Sequence, residues 1–442
     1  MRLLQKDGKE SLQAGPGGRE KEFKQAGRKA GRLYRRREAG APGRETRAGG
    51  GAAMRLSVAS NWDKALLDNL KGLPVESVYA KPGSDILGGG RSSFLLPEPA
   101  WKEVRDHVRE ARKRKIKFNY LLNPSCLGNR EYDAVSRREI LDYIGRVADL
   151  GVDSVTVAIP WLLQAVKRNF PGLKVVVSSF AHINSLQTAK FYEDLGADAV
   201  VLPGYVNRDF GFLEALRKSV RCDIQLIANR TCLFGCPFQL YHADVGSHSS
   251  QSGHPTKGFY IDYCVLNCTR ARLRSPEELI KSRWIRPEDL RAYEAIGIDH
   301  FKLIDRSDTT QTLTRAARAY AARKYDGSLL DILNTKTDVK RQLPVRLKYI
   351  IRPDCAKVMK LRDFESALYL KEQYLDNRAL DGFLDFFKSV DCRVTDCKKC
   401  GYCARVAKKA FRLDPGAAKK NLKKLDEKLE DFISGDIFDL EK

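Results

Sequence analysis

From residue 56 onward, short apolar runs alternate with longer segments in which apolar residues recur every three or four positions. The short runs predict strands and the amphipathic segments predict helices, so the pattern indicates repeated βα units. The eight predicted strands are 56–60, 77–81, 116–122, 154–159, 174–179, 199–203, 223–228 and 300–305. Eight such units in about 270 residues are typical of a TIM barrel, so we predict an α/β fold with a (β/α)8 barrel over 54–325.

The interval between the seventh and eighth strands is the exception to this regular spacing. It spans about 70 residues, too many for one helix and its loops. We therefore predict a large insertion there, with a cysteine-bearing loop at 229–285. Because this insertion follows the carboxyl end of a barrel strand, it lies on the face where TIM barrels carry their active sites.

After the barrel, residues 326–442 predict a smaller, mostly helical C-terminal region that is rich in cysteine. A short apolar run at 345–351 predicts one strand in it. The last part of the chain is rich in Lys and Asp and predicts a helical tail whose surface is solvated.

Residues 1–53 differ in composition from everything that follows. They are rich in Gly, Ala and Arg and have neither helical nor strand periodicity, which predicts a disordered basic extension. Met54 immediately precedes the first predicted strand, so we favour the interpretation that translation begins there.

The charge of the chain is strongly positive, at +23. Residues 1–53 hold 14 Lys or Arg against 6 Asp or Glu, so the remainder is basic as well. A basic surface suits RNA or a carboxylate-bearing metabolite, although lysines that serve solubility give the same sum. No apolar run approaches the roughly 20 residues of a membrane span and no signal core follows the first residues, so we predict a cytoplasmic protein without a membrane span.

Four of the eleven cysteines fall in the predicted insertion. Cys232 and Cys236 form one C-x3-C pair, and Cys264 and Cys268 form a second. Four thiolates suit either an iron–sulfur cluster or a zinc ion. We favour a 4Fe–4S cluster because the loop lies at the expected active-site mouth, with zinc and simple burial as the alternatives.

A second group of cysteines lies near the C-terminus. Cys392, Cys397, Cys400 and Cys403 have the spacing C-x4-C-x2-C-x2-C, which predicts a second iron–sulfur cluster or a zinc site. Among the isolated cysteines, Cys222 and Cys355 are predicted core residues. Cys126 follows the third strand and stays a candidate for a redox or ligand role.

Other polar residues follow predicted strands at the same end of the barrel. His182 and His242 are candidate proton-transfer groups, and a hydrogen-bonded structural histidine is the alternative for each. Lys302 and Arg306 are candidate ligands of a carboxylate or phosphate. Salt bridges to Asp305 or Asp308 are the alternative for these two cations.

The motifs around these residues resemble those of peptidase family U32. The resemblance rests on NRTCLFGCPF at 229–238, RPEDL at 286–290 and GIDHFKLIDR at 297–306, and it covers roughly residues 54–325. Members of the family were named collagenase-like proteases. Others are iron–sulfur proteins required for oxygen-independent hydroxylation of tRNA uridine, ribosomal cytidine or the ubiquinone ring, with prephenate implicated as the oxygen donor.

The resemblance therefore implies an iron–sulfur enzyme that uses an anionic donor and works with an electron-transfer partner or a second U32 protein. Two departures leave the hydroxyl acceptor open: the cysteines form two C-x3-C pairs, and FKLIDR replaces a motif that usually ends in Glu-Gly-Arg.

Two other functions stay open from the sequence, a U32-type peptidase and an RNA-binding protein with structural metal sites. The chain has no H-E-x-x-H zinc motif and no G-x-S-x-G nucleophile elbow. Its cysteines also come in ligand-like pairs rather than singly with a partner base, so the sequence favours redox or group-transfer chemistry.

Overall fold

The computed structural model describes residues 53–335, 343–361 and 373–440. The predicted N-terminal extension therefore lies outside the described residues, apart from Ala53. The described residues all belong to one compact unit.

The eight predicted strands are confirmed and close into a parallel barrel in sequence order. Strand β1 pairs with β8 to complete the closure, with Leu56 opposite Phe301. The strands are β1 (Arg55–Ala59), β2 (Val75–Ala80), β3 (Lys117–Leu122), β4 (Ser154–Val157), β5 (Lys174–Val177), β6 (Ala199–Leu202), β7 (Asp223–Ile227) and β8 (His300–Leu303). They end one or two residues earlier than predicted at most carboxyl ends, where the chain leaves the sheet to form the mouth.

Helices surround the barrel between its strands. They are α1 (Lys64–Asn69), α2 (Trp101–Lys113), α3 (Ala134–Ala148), α4 (Pro160–Asn169), α5 (Leu186–Asp194), α6 (Phe210–Ser219) and α11 (Thr310–Ala322), which follows β8. Their starts are encoded locally, because Asp133, Ser185 and Asp209 each accept a hydrogen bond from a backbone N–H in the first turn. Each helix covers the outside of the sheet with its apolar face.

The interior of the barrel is layered. Val176, Val201 and Ile227 form an apolar cluster within it. At the amino-terminal end, both terminal nitrogens of the Arg55 guanidinium donate to the Asp223 carboxylate, at 2.8 and 3.0 Å. The interior is thus packed with both apolar and polar side chains, and the hydroxyl of Thr156 donates to the amide oxygen of Asn119 at 2.7 Å within it.

The insertion between β7 and β8 is present and mostly helical. It contains α7 (Gln239–His248), α8 (Tyr263–Arg274), α9 (Glu277–Lys281) and α10 (Leu290–Glu294). Cys232 and Cys236 lie in the loop before α7, whereas Cys264 and Cys268 lie one turn apart on α8. One cysteine pair of the predicted loop therefore lies in a loop and the other lies on a helix.

The strand predicted at 345–351 is wrong. The chain forms a 3-10 turn there, at Leu347–Tyr349. Arg346 and Lys348 turn toward Glu98, at 2.5 and 3.0 Å, so these side chains join charge pairs rather than a sheet. Leu347 and Ile351 are exposed, and no neighbouring strand pairs with this run in the described residues.

The C-terminal region contributes a small sheet that the pattern did not predict. Strand β9 (Gln373–Leu375) pairs antiparallel with β10 (Phe411–Leu413). The helices here are α12 (Val358–Leu361), α13 (Cys397–Cys400), α14 (Tyr402–Ala410) and α15 (Pro415–Ile433). The predicted tail helix is thus confirmed as α15, but its surface is not wholly solvated, because Leu425 and Leu429 are buried against α8.

Helix α15 is long enough to reach across much of a bilayer, but it is rich in Lys, Asp and Glu. Within the three described ranges, no helix combines the length and apolar character that crossing a membrane requires.

Candidate functional site at the barrel mouth

One cavity of about 150 Å³ lies at the carboxyl ends of the barrel strands. The loop after β2 contributes Arg91, the residues after β7 contribute Arg230, and Ile304 follows β8. The small sheet closes another side through Gln373 and Phe411. The C-terminal region is therefore part of this cavity wall.

All four cysteines of the insertion line this cavity: Cys232, Cys236, Cys264 and Cys268. None of them forms a disulfide bond. The first two come directly off β7, and the other two are carried there by α8, one helical turn apart. The structure thus brings together two pairs that are well separated along the chain.

Cationic side chains surround the first of these thiols. The Arg230 guanidinium donates a hydrogen bond to the Cys232 sulfur at 2.9 Å. Burial opposes ionisation of Cys232, but the charges of Arg230, Arg272 and Arg91 outweigh it and lower the pKa of this thiol. Cys232 is therefore the thiol most easily ionised in the cavity.

The other thiols have the opposite tendency. Burial raises the pKa of Cys264 to about 12 and that of Cys268 to about 11, and it also raises the pKa of Cys236. Each of the three also feels the charge of another cysteine in the set, which places the four sulfurs within electrostatic range of one another. The protons on these thiols are thus the ones that a bound metal centre would displace.

The two predicted histidines lie near the cysteines in different surroundings. His242 lines the cysteine cavity, and its Nε2 is 3.4 Å from Asp262. His182 lines a smaller neighbouring cavity with Cys232 and Arg230. Its ring stacks on Tyr205, and its Nε2 is buried without a hydrogen-bond partner among the described residues. Burial and then the charge of Arg230 lower the pKa of His182, so the imidazole is neutral at pH 7.

Lys302 on β8 and Arg306, three residues beyond the end of β8, are both buried. Arg306 donates to the carbonyl of Lys81 at 3.2 Å. The Lys302 ammonium lies 3.9 Å from the centre of the Tyr79 ring. Neither side chain lines the cysteine cavity, so the structure separates these two predicted ligands from the thiols.

The C-terminal cysteines form a second group beside the insertion. Cys392 and Cys403 pack against the main core, whereas Cys397 is exposed at the start of α13. Cys392 and Cys403 each lie within electrostatic range of the buried Arg283. The guanidinium of Arg283 in turn lies 4.1 Å over the ring of Phe234, which stands between Cys232 and Cys236 in the chain. Arg283 thus contacts the insertion loop and also lies within electrostatic range of the C-terminal cysteines.

No three or more His, Cys, Asp or Glu side chains within 53–335, 343–361 and 373–440 are arranged to hold a metal ion. The isolated cysteines differ from one another. Cys222 is buried in the core as predicted, whereas Cys355 is only partly buried and accepts a hydrogen bond from Arg352 at 3.2 Å, so its assignment to the core is wrong. Cys126 is partly buried and lies outside the cysteine cavity.

The sequence analysis missed Arg272 and Asp262 as cavity residues. Arg272 lies four residues after Cys268 and eight after Cys264, which places the three on one face of α8. This helical spacing could have identified Arg272 as a neighbour of the two cysteines from the sequence alone. Arg272 donates to the carbonyl of Thr231, so it also ties α8 to the end of β7.

A family model, a relative and a solved structure that resemble this chain are all named as proteases or peptidases. The model of peptidase family U32 matches residues 98–326. An uncharacterized protease of Methanocaldococcus jannaschii, MJ1657, is 30% identical over 329 residues, which are 74% of this chain and 87% of that protein. Among solved structures, the U32 peptidase Mk0906 is 22% identical over 60% of this chain and 97% of its own, with a TM-score of 0.42.

Proposed function

Because the chain belongs to peptidase family U32, we propose that it is an iron–sulfur enzyme of this family. The reaction that we propose is oxygen-independent hydroxylation, or a related group transfer, on an RNA base, a quinone or another aromatic acceptor. The observation that carries the proposal is that the four insertion cysteines line one cavity at the catalytic end of the barrel.

Four thiols are a donor set that either an iron–sulfur cluster or a zinc ion can use. We favour a 4Fe–4S cluster because the four cysteines line the cavity at the catalytic end of the barrel. Cys232, Cys236, Cys264 and Cys268 would hold it, and when bound it would supply one-electron redox chemistry at the mouth.

The arginines suit the charge of such a ligand set. Four thiolates bring negative charge into a partly buried cavity, which is costly without compensation. Arg230 and Arg272 lie against the cysteines, and Arg91 stands beside them while pairing with Asp305 at 2.5 Å. These cations stabilise the ionised thiols and favour the entry of anionic ligands.

Proton transfer falls to the histidines. His182 is neutral and has a buried ring nitrogen available beside Cys232. His242 faces the cavity with Asp262 holding its Nε2. A donor with carboxylate groups, such as prephenate in related U32 enzymes, would find Arg306 and Lys302 near the carboxyl end of β8. Electrons would come from a protein partner.

The principal test is anaerobic purification followed by iron and sulfide analysis and a visible spectrum. We expect a coloured protein, and a Cys232→Ser variant should lose the visible absorbance of the cavity cluster while circular dichroism shows an unchanged barrel. A Cys126→Ser variant is the matched control, because Cys126 lies outside the cavity. Iron and sulfide retained at wild-type stoichiometry in Cys232→Ser would remove the main support for the proposal.

The same preparation distinguishes the alternatives. A peptidase would cleave casein and lose that activity on chelation, and the names of the family and of the relative are its support. An RNA-binding protein with structural metals would be colourless, would contain zinc and would retain RNA. The proposed enzyme, purified anaerobically, should neither cleave casein nor be a colourless zinc protein. It would retain RNA only if its acceptor is an RNA base.

We also propose that Cys392, Cys397, Cys400 and Cys403 bind a second metal centre, either an iron–sulfur cluster or zinc. Four cysteines spaced so closely rarely serve packing alone. A Cys397→Ser, Cys400→Ser double variant should lose part of the metal and keep the absorbance of the cavity cluster. Loss of all metal at once would show that the two groups share one centre.

A further inference from the structure

Lys302 occupies an unusual place for a charged side chain. It lies on β8 opposite Ile227 of β7, which belongs to the apolar cluster inside the barrel. Because facing residues of paired strands point to the same side of a sheet, Lys302 projects into the barrel interior. The residue is 8% exposed, so solvent still reaches part of it.

Arg306, which lies near Lys302, and the cations around Arg306 have polar partners. Lys81 pairs with Asp85 at 2.7 Å, and Arg91 pairs with Asp305 at 2.5 Å. Arg306 donates to the carbonyl of Lys81. Within the described part of the chain, the Lys302 ammonium has neither a hydrogen bond nor an ion pair, and its contact is the face of the Tyr79 ring.

A buried ammonium without a hydrogen bond or an ion pair is unfavourable, so the neutral amine is favoured. Burial, followed by the nearby charge of Arg306, lowers the pKa of Lys302 to about 7. At neutral pH a large share of the side chain is therefore an amine with a free lone pair. A lysine in this state is suited to nucleophilic attack on a carbonyl carbon.

We propose that Lys302 is a nucleophile that forms an imine with a small α-keto acid, whose carboxylate is held by Arg306. The Nζ lone pair attacks the keto carbon, and a C–N bond forms as the carbonyl oxygen is protonated. That oxygen then leaves as water, taking the two hydrogens of the amine, and a C=N bond results. The step needs no oxidant or reductant.

The position of Lys302 on β8 supports entry of such a ligand from the mouth. Ile304, two residues further along the chain, lines the cysteine cavity. Arg306 follows closely and is near enough to Lys302 to affect its ionisation. A ligand that descends from the cavity would thus meet a cation for its carboxylate and an amine for its carbonyl. This chemistry is independent of the proposed cluster.

The test is reductive trapping. Wild-type protein is incubated with pyruvate and cyanoborohydride at neutral pH, and the adduct is located by peptide mass spectrometry. We expect Lys302 to be the main modified lysine. Lys81 serves as the internal control, since it is also buried but paired with Asp85, and it should stay unmodified. Modification confined to exposed lysines would overturn the proposal.

Two further measurements assign the roles. An Arg306→Met variant should trap pyruvate about tenfold less at limiting concentration, which is the effect of losing about 1.4 kcal/mol of binding. Acetaldehyde, which has no carboxylate, reports the change in the Lys302 amine itself, so the ratio of pyruvate to acetaldehyde trapping should fall in the variant. Equal trapping of pyruvate by both proteins would refute the role of Arg306. Protein stripped of metal should trap as wild type does, so failure of the cluster proposal would be seen separately.

Discussion

Asp223 is the centre of a hydrogen-bonded group at the amino-terminal end of the barrel. It accepts two hydrogen bonds from Arg55, and Nδ1 of His300 lies 2.7 Å from its carboxylate. Burial opposes its ionisation, but the hydrogen bonds and charges of His300 and Arg55 outweigh burial and lower its pKa below the usual range. This group joins β1, β7 and β8 where the barrel closes.

We therefore expect Asp223→Asn to lower the free energy of unfolding by about 2 kcal/mol at pH 7. The folded pKa lies below the unfolded value, so the stabilisation is present above about pH 4 and is lost as the pH falls further. Urea unfolding of both proteins at pH 7 and pH 3 checks this. A difference that does not shrink at pH 3 would contradict the electrostatic origin.

Lys302 should have the opposite effect on stability. Its folded pKa is about 7, below that of an unfolded lysine, so the folded state binds fewer protons between pH 7 and about 10. Burial of Lys302 consequently lowers the free energy of unfolding most at and below neutral pH. Lys302→Met should be more stable than wild type at pH 7, and its advantage should decline by up to about 1.4 kcal/mol per pH unit toward pH 10.

The measurement is chemical denaturation of both proteins between pH 7 and pH 10. An advantage of Lys302→Met that stays constant over this range would show that Lys302 does not change its charge on folding. A stabilising substitution that also abolishes trapping would indicate that the barrel retains Lys302 for function at a cost in stability.

Helix α15 supports the helix that carries two of the candidate ligands. Leu425 and Leu429 of α15 pack with Leu266 and Leu273 of α8 in a separate apolar cluster. Arg274 of α8 also pairs with Asp426 at 2.9 Å. The position of the two cysteines on α8 therefore depends on a helix near the other end of the chain.

We expect Leu425→Ala to destabilise the packing of α15 on α8 by about 2–5 kcal/mol of free energy, because Leu425 is fully buried. Hydrogen exchange should become faster in α8 while the barrel strands keep their protection, and iron should be retained less well. Lys423→Ala on the exposed side of α15 is the matched control. Unchanged exchange in α8 would show that α15 does not hold it in place.

For the protein as a whole, we expect the barrel to fold without the residues before Met54. Met54 is buried in the main core, and Arg55 begins the strand that closes the barrel. A variant that begins at Met54 should keep the melting temperature and the metal content of the full chain, since residues 1–53 lack a periodic apolar pattern. Differential scanning calorimetry checks this, and a clear fall in melting temperature would contradict it.

The local pattern was sufficient for the barrel. Strand runs such as that of β5, with three consecutive valines, and helix starts such as Asp133 act over a few residues. Parallel strands buried on both sides have continuous apolar sequences, so their number and order can be obtained from the chain alone. The same holds for the cysteine pairs, because ligand spacing is a local property.

Contacts between residues far apart in the chain could not be predicted from the local pattern. Pairing of β9 with β10 joins segments that are separated by several other elements, and burial of one side of α15 depends on α8. The absence of an ion pair at Lys302 among the described residues likewise depends on the tertiary structure, in which Asp85 pairs with Lys81 and Asp305 with Arg91. The sequence thus determined the barrel and the candidate ligands, because periodicity and spacing are local. Only the tertiary structure decided which thiols share a cavity and what surrounds Lys302, since both depend on the packing of residues far apart in the chain.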